Sequence, residues 1–384
     1  MRKDTFLIDY PAIYAGTEKS EIFFCKGTPD LISVFKPGEA EENSPRRFFV
    51  TDATVASLDC MKDFIAKFDD NTCGKDNLII LGSGEPYKTI ETVLRIVTAA
   101  VDAGFTRKDI FVGIGGGVIC DTTAFAASIF KRGAKVQLVP TTLLAMVDAS
   151  IGGKTGCDYD SYKNTIGTFF PAEKLYYFPE FIQYLPENQY NSGLAESFKT
   201  ALLFNRQLYD IFKNESEKIN NRDKDLLDTI IRECVKAKAT IVEKDFTEKN
   251  IRSFLNLGHT FGHALESVAG LGIVTHGAAV AWGIGRCVDL SYKMDYCKEG
   301  FRNEIYSILE LYGWETAPVH SVIKGGEVGK RLLSVMHKDK KNTSDSVRVV
   351  IQKALPEENI QDITKLSTTV VEEISDDMLL KVLK

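Results

Sequence analysis

The first half of the chain alternates short, continuously apolar runs with longer stretches of helical spacing. Residues 48–50, 77–81, 109–114 and 136–139 are runs of strand length. Turn-forming residues close each of them: Thr51 and Asp52, then Gly82, Ser83, Gly84 and Glu85, then Gly115, Gly116 and Gly117, then Pro140, Thr141 and Thr142. The intervening segments read as helices, most clearly residues 89–103. Apolar strands separated by helices predict a parallel sheet covered on both faces. Ligands of such sheets collect at the carboxyl ends of the strands. From about residue 187 the pattern changes. Helical periodicity runs over 192–204, 225–242, 262–268, 277–294 and 301–311, and the second half reads as all-helical. The boundary falls at Leu185 and Pro186, giving an α/β domain over 1–186 and a helical domain over 187–384. Residues 324–346 are polar, with Lys338, Lys340 and Lys341 close together, and read as a loop between helices.

Length agrees with two domains, since 384 residues is more than one core usually organises at about 150 residues per domain. The balance of 47 Lys and Arg against 53 Asp and Glu, a net charge of -6, argues against a nucleic-acid binder, which carries a basic excess. It leaves room for a local cationic pocket. Eight cysteines are scattered without a Cys-x-x-Cys pair, which reads as reduced thiols rather than a disulfide framework. The N-terminus has no apolar signal core, and no run of about 18 apolar residues predicts a membrane span. The expected location is cytoplasmic.

Chemistry concentrates in a few places. Only five histidines occur, and His259, His263 and His276 fall within eighteen residues. His259 and His263 are four apart, so a helix places them on one face. Imidazole is a common ligand of divalent metals. A carboxylate would complete such a site, and Glu196, set among apolar residues, is a candidate. Taken alone it reads equally well as a first-turn acid favoured by the helix dipole. Lys199 follows it by three residues and shares its face, while Lys238, Arg252 and Asn256 precede the histidines. Together they describe a metal beside cationic and amide groups, suited to an anionic, hydroxylated substrate.

The triple glycine after the third strand lets backbone amides approach a pyrophosphate at a helix N-terminus, and Asp121 after it could face a nicotinamide. The run Gly152, Gly153, Lys154, Thr155 resembles the end of a nucleotide-binding P-loop. Asp148 stands where that motif needs its first glycine, so a nucleoside triphosphatase is rejected. Lys154, Lys163 and Asn164 remain as groups for a phosphate or carboxylate.

Blocks at 115–121, 140–156, 163–167, 193–199, 252–263, 276–277 and 339–341, in that order, resemble the sugar phosphate cyclases, and among them the 3-dehydroquinate synthase family. The resemblance implies a Rossmann-like N-terminal domain that binds NAD and a helical C-terminal domain that holds a divalent metal, zinc or cobalt. It implies Glu196, His259 and His276 as the metal ligands, with His263 turned to the substrate phosphate. Asp52, Glu85, Lys88, Gly116, Gly117, Asp121, Thr141, Thr142 and Lys163 would line the NAD site. Asp148, Lys154, Asn164, Lys199, Lys238, Arg252, Asn256, His263 and Lys340 would contact substrate. Arg132 would reach the site of a partner subunit in a homodimer.

The activity implied is conversion of 3-deoxy-D-arabino-heptulosonate 7-phosphate to 3-dehydroquinate and phosphate. It proceeds through transient oxidation by NAD, phosphate elimination, re-reduction and aldol closure. The alternatives are a cyclase for another sugar phosphate, such as sedoheptulose 7-phosphate, and a metal- and NAD-dependent polyol dehydrogenase of the same fold. Ala278, Thr54, Cys120 and Tyr184 depart from the family pattern.

Overall fold

The apolar runs of the first half are strands, and the order in which they pair decides which of their ends become neighbours. The structure is a computed structural model that describes residues 4–10, 19–39, 43–160, 162–270, 272–338, 346–357 and 367–384. The chain divides into two compact units, Met1–Pro186 and Glu187–Lys384.

In the first unit the strands are β1 (Thr5–Asp9), β2 (Lys19–Phe24), β3 (Arg47–Asp52), β4 (Asn77–Leu81), β5 (Ile110–Gly115), β6 (Lys135–Pro140), β7 (Lys154–Tyr159), β8 (Tyr162–Phe169) and β9 (Lys174–Tyr177). Its helices are α1 (Leu31–Phe35), α2 (Ala53–Ala56), α3 (Lys62–Asp69), α4 (Ile90–Asp102) and α5 (Gly117–Ile129). Seven strands form one sheet in the order β1-β2-β9-β6-β5-β3-β4. Every pairing in it is parallel except that of β1 with β2. The central strands are covered on both faces: Phe48, Phe49 and Val50 of β3 and Val112 and Ile114 of β5 are buried, which is why no polar alternation marks them. The chain adds β4 on one side of β3 and β5 on the other, so the sheet reverses its direction of growth there. That is where doubly wound sheets open a crevice. The register brings the strand ends level: Asp52 lies opposite Leu81, Thr51 opposite Ile114, and Gly115 opposite Pro140. The antiparallel hairpin of β7 and β8 stands apart from this sheet. It carries Lys154 and Asn164 at its two strands.

The second unit holds α6 (Glu187–Phe204), α7 (Arg206–Asn214), α8 (Ser216–Asn220), α9 (Lys224–Lys244), α10 (His259–Ala269), α11 (His276–Lys293), α12 (Glu299–Leu311), α13 (Val328–His337) and α14 (Asp376–Val382). It is not wholly helical. Val347–Gln352 and Thr369–Ile374 form an antiparallel hairpin, β10 and β11, with Val347 opposite Ile374. The β-branched run Val347, Val349, Val350, Ile351 is buried and carries the strand preference that the helical surroundings obscured. The polar stretch read as a loop contains α13. Leu332, Leu333 and Met336 at helical spacing bury one face of it, and the lysines that suggested a loop begin only at its end. Among the described residues no helix is long and apolar enough to cross a membrane.

Helix α11 packs against both α6 and α10, and glycine sets how closely. A Cβ on Gly277 would run into the Ser192 carbonyl of α6, and one on Gly283 into the Gly258 carbonyl at the start of α10. Gly285, two residues on, meets nothing nearer than Leu309 at 3.5 Å. Two substitutions in the same helix should therefore diverge. Gly283→Ala should destabilise by about 2 kcal/mol or more through forced backbone separation. Gly285→Ala should be neutral or stabilise by up to about 1 kcal/mol from helix propensity. Urea denaturation of the two variants checks this, and equal midpoints would contradict the packing described.

Candidate active site

Each unit carries one concentration of functional groups. In the first it lies along the carboxyl edge of the sheet. The turn after β5 is made by Gly115, Gly116 and Gly117 and leads directly into α5, whose N-terminus no side chain caps. A Cβ on Gly115 would approach Ile119 to 2.6 Å, and one on Gly116 would approach Thr142 to 3.0 Å, so the tight turn requires these small residues. Thr141 donates its N–H to the Gly115 carbonyl at 2.9 Å, which ties the turn to the end of β6. Thr142 accepts from the Ala145 N–H at 3.1 Å and starts the π-helical turn Ala145–Ala149 that holds Asp148. At the end of β3, Asp52 accepts from the N–H groups of Thr54 and Val55 at 2.9 and 3.1 Å and from the Ser83 hydroxyl at 3.0 Å. The acid is thus buried and fixed by the capping of α2.

Beside this edge lies an ionic network. Lys88 is 7% exposed; its ammonium is 2.7 Å from Asp121 and donates to Asn164 Oδ1 at 2.5 Å. Burial works against its charge, but Asp121 and then Glu85 hold the pKa up at about 12, so Lys88 is a fixed cation. Asn164 has φ of 51°, a left-handed conformation that asparagine tolerates, and its N–H donates to Asp158 at 2.7 Å. Burial raises the Asp158 carboxyl. Lys163 pairs with Glu85 at 3.1 Å. Asn164 therefore sits with the residues expected at the dinucleotide, and Asp158, which no motif marked, is what holds it. Asp121, Lys154 and Ser150 line one small cavity with Cys120. The Cys120 thiol donates to the Gly115 carbonyl. Arg132 is exposed in a turn where Lys131, Arg132 and Gly133 have φ of 48°, 70° and 111°.

The second concentration is built by α6, α10 and α11. Helix α6 begins at Glu187, so Glu196 lies in its interior and the reading as a first-turn acid fails. Its carboxylate is 1% exposed. Oε2 lies 2.5 Å from the Lys199 ammonium. Oε1 lies 3.4 Å from His276 Nε2 and 3.6 Å from His259 Nε2. Burial would raise this carboxyl, but Lys199, then His276 and His259, hold it well below the usual range. Burial, with Lys199 behind it, keeps the His259 pKa low. Its Nδ1 lies 3.2 Å from the Leu257 carbonyl, which directs the Nε2 lone pair inward. His276 reaches Glu266 with Nδ1 at 3.2 Å. Burial alone would lower it, yet the two carboxylates hold it near 9.

Zinc and cobalt take nitrogen and oxygen ligands at about 2.0–2.2 Å, which sets two tetrahedral ligand atoms about 3.4 Å apart. The distances from Glu196 Oε1 fit that spacing. The nitrogens of His259, His263 and His276 also lie within 4.8 Å of one another, with His263 the more exposed. A three-imidazole set would leave Glu196 Oε1 buried and unsatisfied, which is costly. The acid with His259 and His276 removes that cost.

Lys199, Lys238 and Arg252 are buried cations of this unit, at 1, 7 and 1% exposure, and Lys199 lies against Glu196. Arg252 donates to the Phe246 carbonyl, and its N–H binds Asp245, which also caps Lys249 and Asn250. Asn256 donates to Glu248 at 2.7 Å. Lys340 lies outside the described residues. Asp245, Glu248 and Glu266 escaped the sequence reading. Only Glu266, three residues beyond His263 on the same helical face, carried a signal that could have found it. Ala278 offers no side-chain ligand; its N–H is capped by Thr275 at 3.4 Å.

The model of the 3-dehydroquinate synthase N-terminal region matches residues 78–192, and that of the C-terminal region matches 193–342. The 3-dehydroquinate synthase of Acidithiobacillus ferrooxidans is 36% identical over 309 residues, covering 80% of this chain and 82% of that protein. The chain belongs to the 3-dehydroquinate synthase family. It is therefore an enzyme, a carbon–oxygen lyase by family. The 3-dehydroquinate synthase of Dictyoglomus thermophilum is 35% identical, over 75% of this chain and 79% of that one. Among solved structures, 2-deoxy-scyllo-inosose synthase complexed with carbaglucose-6-phosphate, NAD+ and Co2+ shares the fold. Its TM-score is 0.80 at 21% identity, over 99% of each chain. A second is 2-epi-5-epi-valiolone synthase from Streptomyces hygroscopicus with NAD+ and Zn2+ bound, with a TM-score of 0.77 at 24% identity over 94% of this chain and 95% of that one.

The site makes a separable prediction for the three imidazoles. His259→Ala and His276→Ala should each lose a stoichiometric divalent metal on dialysis, while His263→Ala retains it. Metal analysis of the three purified variants decides. Loss of metal from His263→Ala with retention in His259→Ala would reverse the ligand assignment.

Proposed function

We propose that this chain is a 3-dehydroquinate synthase, converting 3-deoxy-D-arabino-heptulosonate 7-phosphate to 3-dehydroquinate and phosphate. The observation that carries the reading is the buried Glu196 carboxylate oxygen, which faces two imidazole Nε2 atoms at 3.4 and 3.6 Å in a chain of this family.

Glu196, His259 and His276 would hold a divalent cation. Gly116, Gly117, Thr141, Thr142, Asp52, Glu85, Lys88, Asp121 and Lys163 would hold NAD. When bound, the cation would supply Lewis acidity and the dinucleotide a reversible hydride acceptor. The remaining work falls to the side chains. Gly116 and Gly117 open backbone amides to a pyrophosphate at the N-terminus of α5. Lys199 keeps Glu196 ionised and so keeps it a ligand. Lys238 and Arg252, already desolvated, offer fixed positive charge to the substrate's phosphate and carboxylate, where water does not screen it. Asn256, oriented by Glu248, supplies a directed amide. His263, at the open side of the cluster, hydrogen-bonds the phosphate that takes a proton and departs. Holding the reactant in one pose removes much of the entropic cost of elimination and ring closure.

Three finer points belong to this reading. The cation is zinc, for which one acid and two imidazoles leave a coordination position open. The protein is a homodimer, with Arg132 reaching toward the partner subunit from a turn in which two successive non-glycine residues adopt positive φ, a strained arrangement typical of functional sites. It works in the cytoplasm, in keeping with eight free cysteines, since reducing compartments preserve thiols.

Incubation of the metal-loaded protein with the heptulosonate phosphate and NAD should release phosphate and form dehydroquinate without net NADH. Steady accumulation of NADH would instead support a polyol dehydrogenase, and release from sedoheptulose 7-phosphate alone would support another cyclase. Removing the metal, or replacing His276 by Ala, should lower turnover by on the order of 10³, the rate equivalent of about 4 kcal/mol of lost charge stabilisation.

A further inference from the structure

Glu266 is an acid at 2% exposure to which neither the motifs nor the chemistry above gives a task. It lies on α10 seven residues after His259 and three after His263, so one face of that helix presents all three. Its Oε2 lies 3.2 Å from His276 Nδ1, while the opposite ring nitrogen, Nε2, lies 3.4 Å from Glu196 Oε1. The His276 ring thus spans two carboxylates from two different helices. The backbone under it is already held. Ser192 Oγ accepts from the Gly277 N–H at 2.9 Å, and Thr275 caps the Ala278 N–H. What remains free is rotation of the ring. The first turn of α11 contains no acid that could restrain it.

We propose that Glu266 is a positioning residue for the cation site: it fixes His276 with the proton on Nδ1 and the lone pair on Nε2. This rests on the cation reading above. A neutral imidazole has one N–H and one lone pair, and the hydrogen bond made by one nitrogen decides which nitrogen can ligate. A buried carboxylate accepting from Nδ1–H holds the ring and raises the basicity of Nε2. His259 has the same device in another form, a backbone carbonyl at Leu257. The support of His259 cannot be removed by substitution, whereas that of His276 can.

The test titrates Co2+ into the metal-stripped protein and follows its visible ligand-field spectrum, for the parent, Glu266→Leu and Glu266→Gln. Glu266→Leu should bind cobalt about 10–100-fold more weakly, with a changed spectrum. Glu266→Gln, whose side-chain oxygen can accept the same N–H, should recover part of that loss. Circular dichroism and thermal melting of the stripped proteins verify the fold. A folded Glu266→Leu with parental affinity and spectrum overturns the proposal. If Glu266→Leu fails to fold, Glu266→Met, of similar length and without an oxygen or nitrogen to hold the N–H, takes its place, and parental affinity and spectrum in that variant overturn the proposal. A parent that takes up no cobalt overturns the cation reading and this role with it. A parent that binds alongside variants that bind equally overturns the role of Glu266 alone.

Discussion

A single ionised carboxylate inside a helical unit sets the terms for everything near it. Glu196 is removed from water, and an isolated buried charge would cost several kcal/mol. Its neighbours are therefore constrained. One oxygen is neutralised by Lys199 one helical turn on, and the other faces two imidazoles. A buried acid compensated by a lysine on one side and facing two imidazole nitrogens on the other is an arrangement that a divalent cation would complete.

That arrangement depends on backbone approach. Glu196, His259 and His276 come from three helices, and their atoms meet only because α11 lies close to both α6 and α10. Gly277 and Gly283 stand where a single methyl group would strike a carbonyl of the neighbouring element. Packing in this unit is thus in the service of the site's geometry as well as stability, since separation of the helices by even one methyl radius would pull the ligands out of range. The sheet edge of the first unit is organised by a different constraint, register. Pairing of Gly115 with Pro140 and of Thr51 with Ile114 levels the strand ends, and the glycine turn, Thr141 and Asp52 become neighbours as a result.

Much of this could be read before any coordinates. Strands β3, β5 and β6 announce themselves as apolar runs ending in turn residues, because a strand buried on both faces has no polar alternation to blur it; β4 is the same kind of run at the sheet edge, where Ile80 is exposed. Helices α9, α10 and α12 show the 3.6-residue period of half-buried elements, whereas α6 and α11 are apolar nearly all round because they are buried on nearly every face. The hairpin of β10 and β11 and the helix α13 were missed for opposite reasons. The first is a short apolar run that periodicity cannot assign; the second is a short amphipathic helix followed by lysines. The site divides similarly. His259, His263 and His276 stand out by rarity, and Glu196 by its apolar surroundings. Asp158, Asp245 and Glu248 are acids among many, and only tertiary contact with Asn164, Arg252 and Asn256 distinguishes them.

The departures from the family pattern fall where the structure can absorb them. At the sheet edge much of the binding surface is backbone: amides of the glycine turn, the Thr141 N–H, the capped turn after Asp52. Thr54 meets Asp52 through its N–H and Ser83 through its hydroxyl, so its side chain braces the turn around Asp52. Cys120 donates its thiol to the Gly115 carbonyl while lining the small cavity beside Asp121 and Lys154. The cation cluster has no such tolerance, because its donors are side-chain atoms. Ala278 is the one departure beside it, and there the helix start is held by Thr275 and Ser192. The carboxylate next to His276 comes from α10 instead. A surface built from main-chain groups permits sequence drift at constant function, whereas one built from side-chain donors does not.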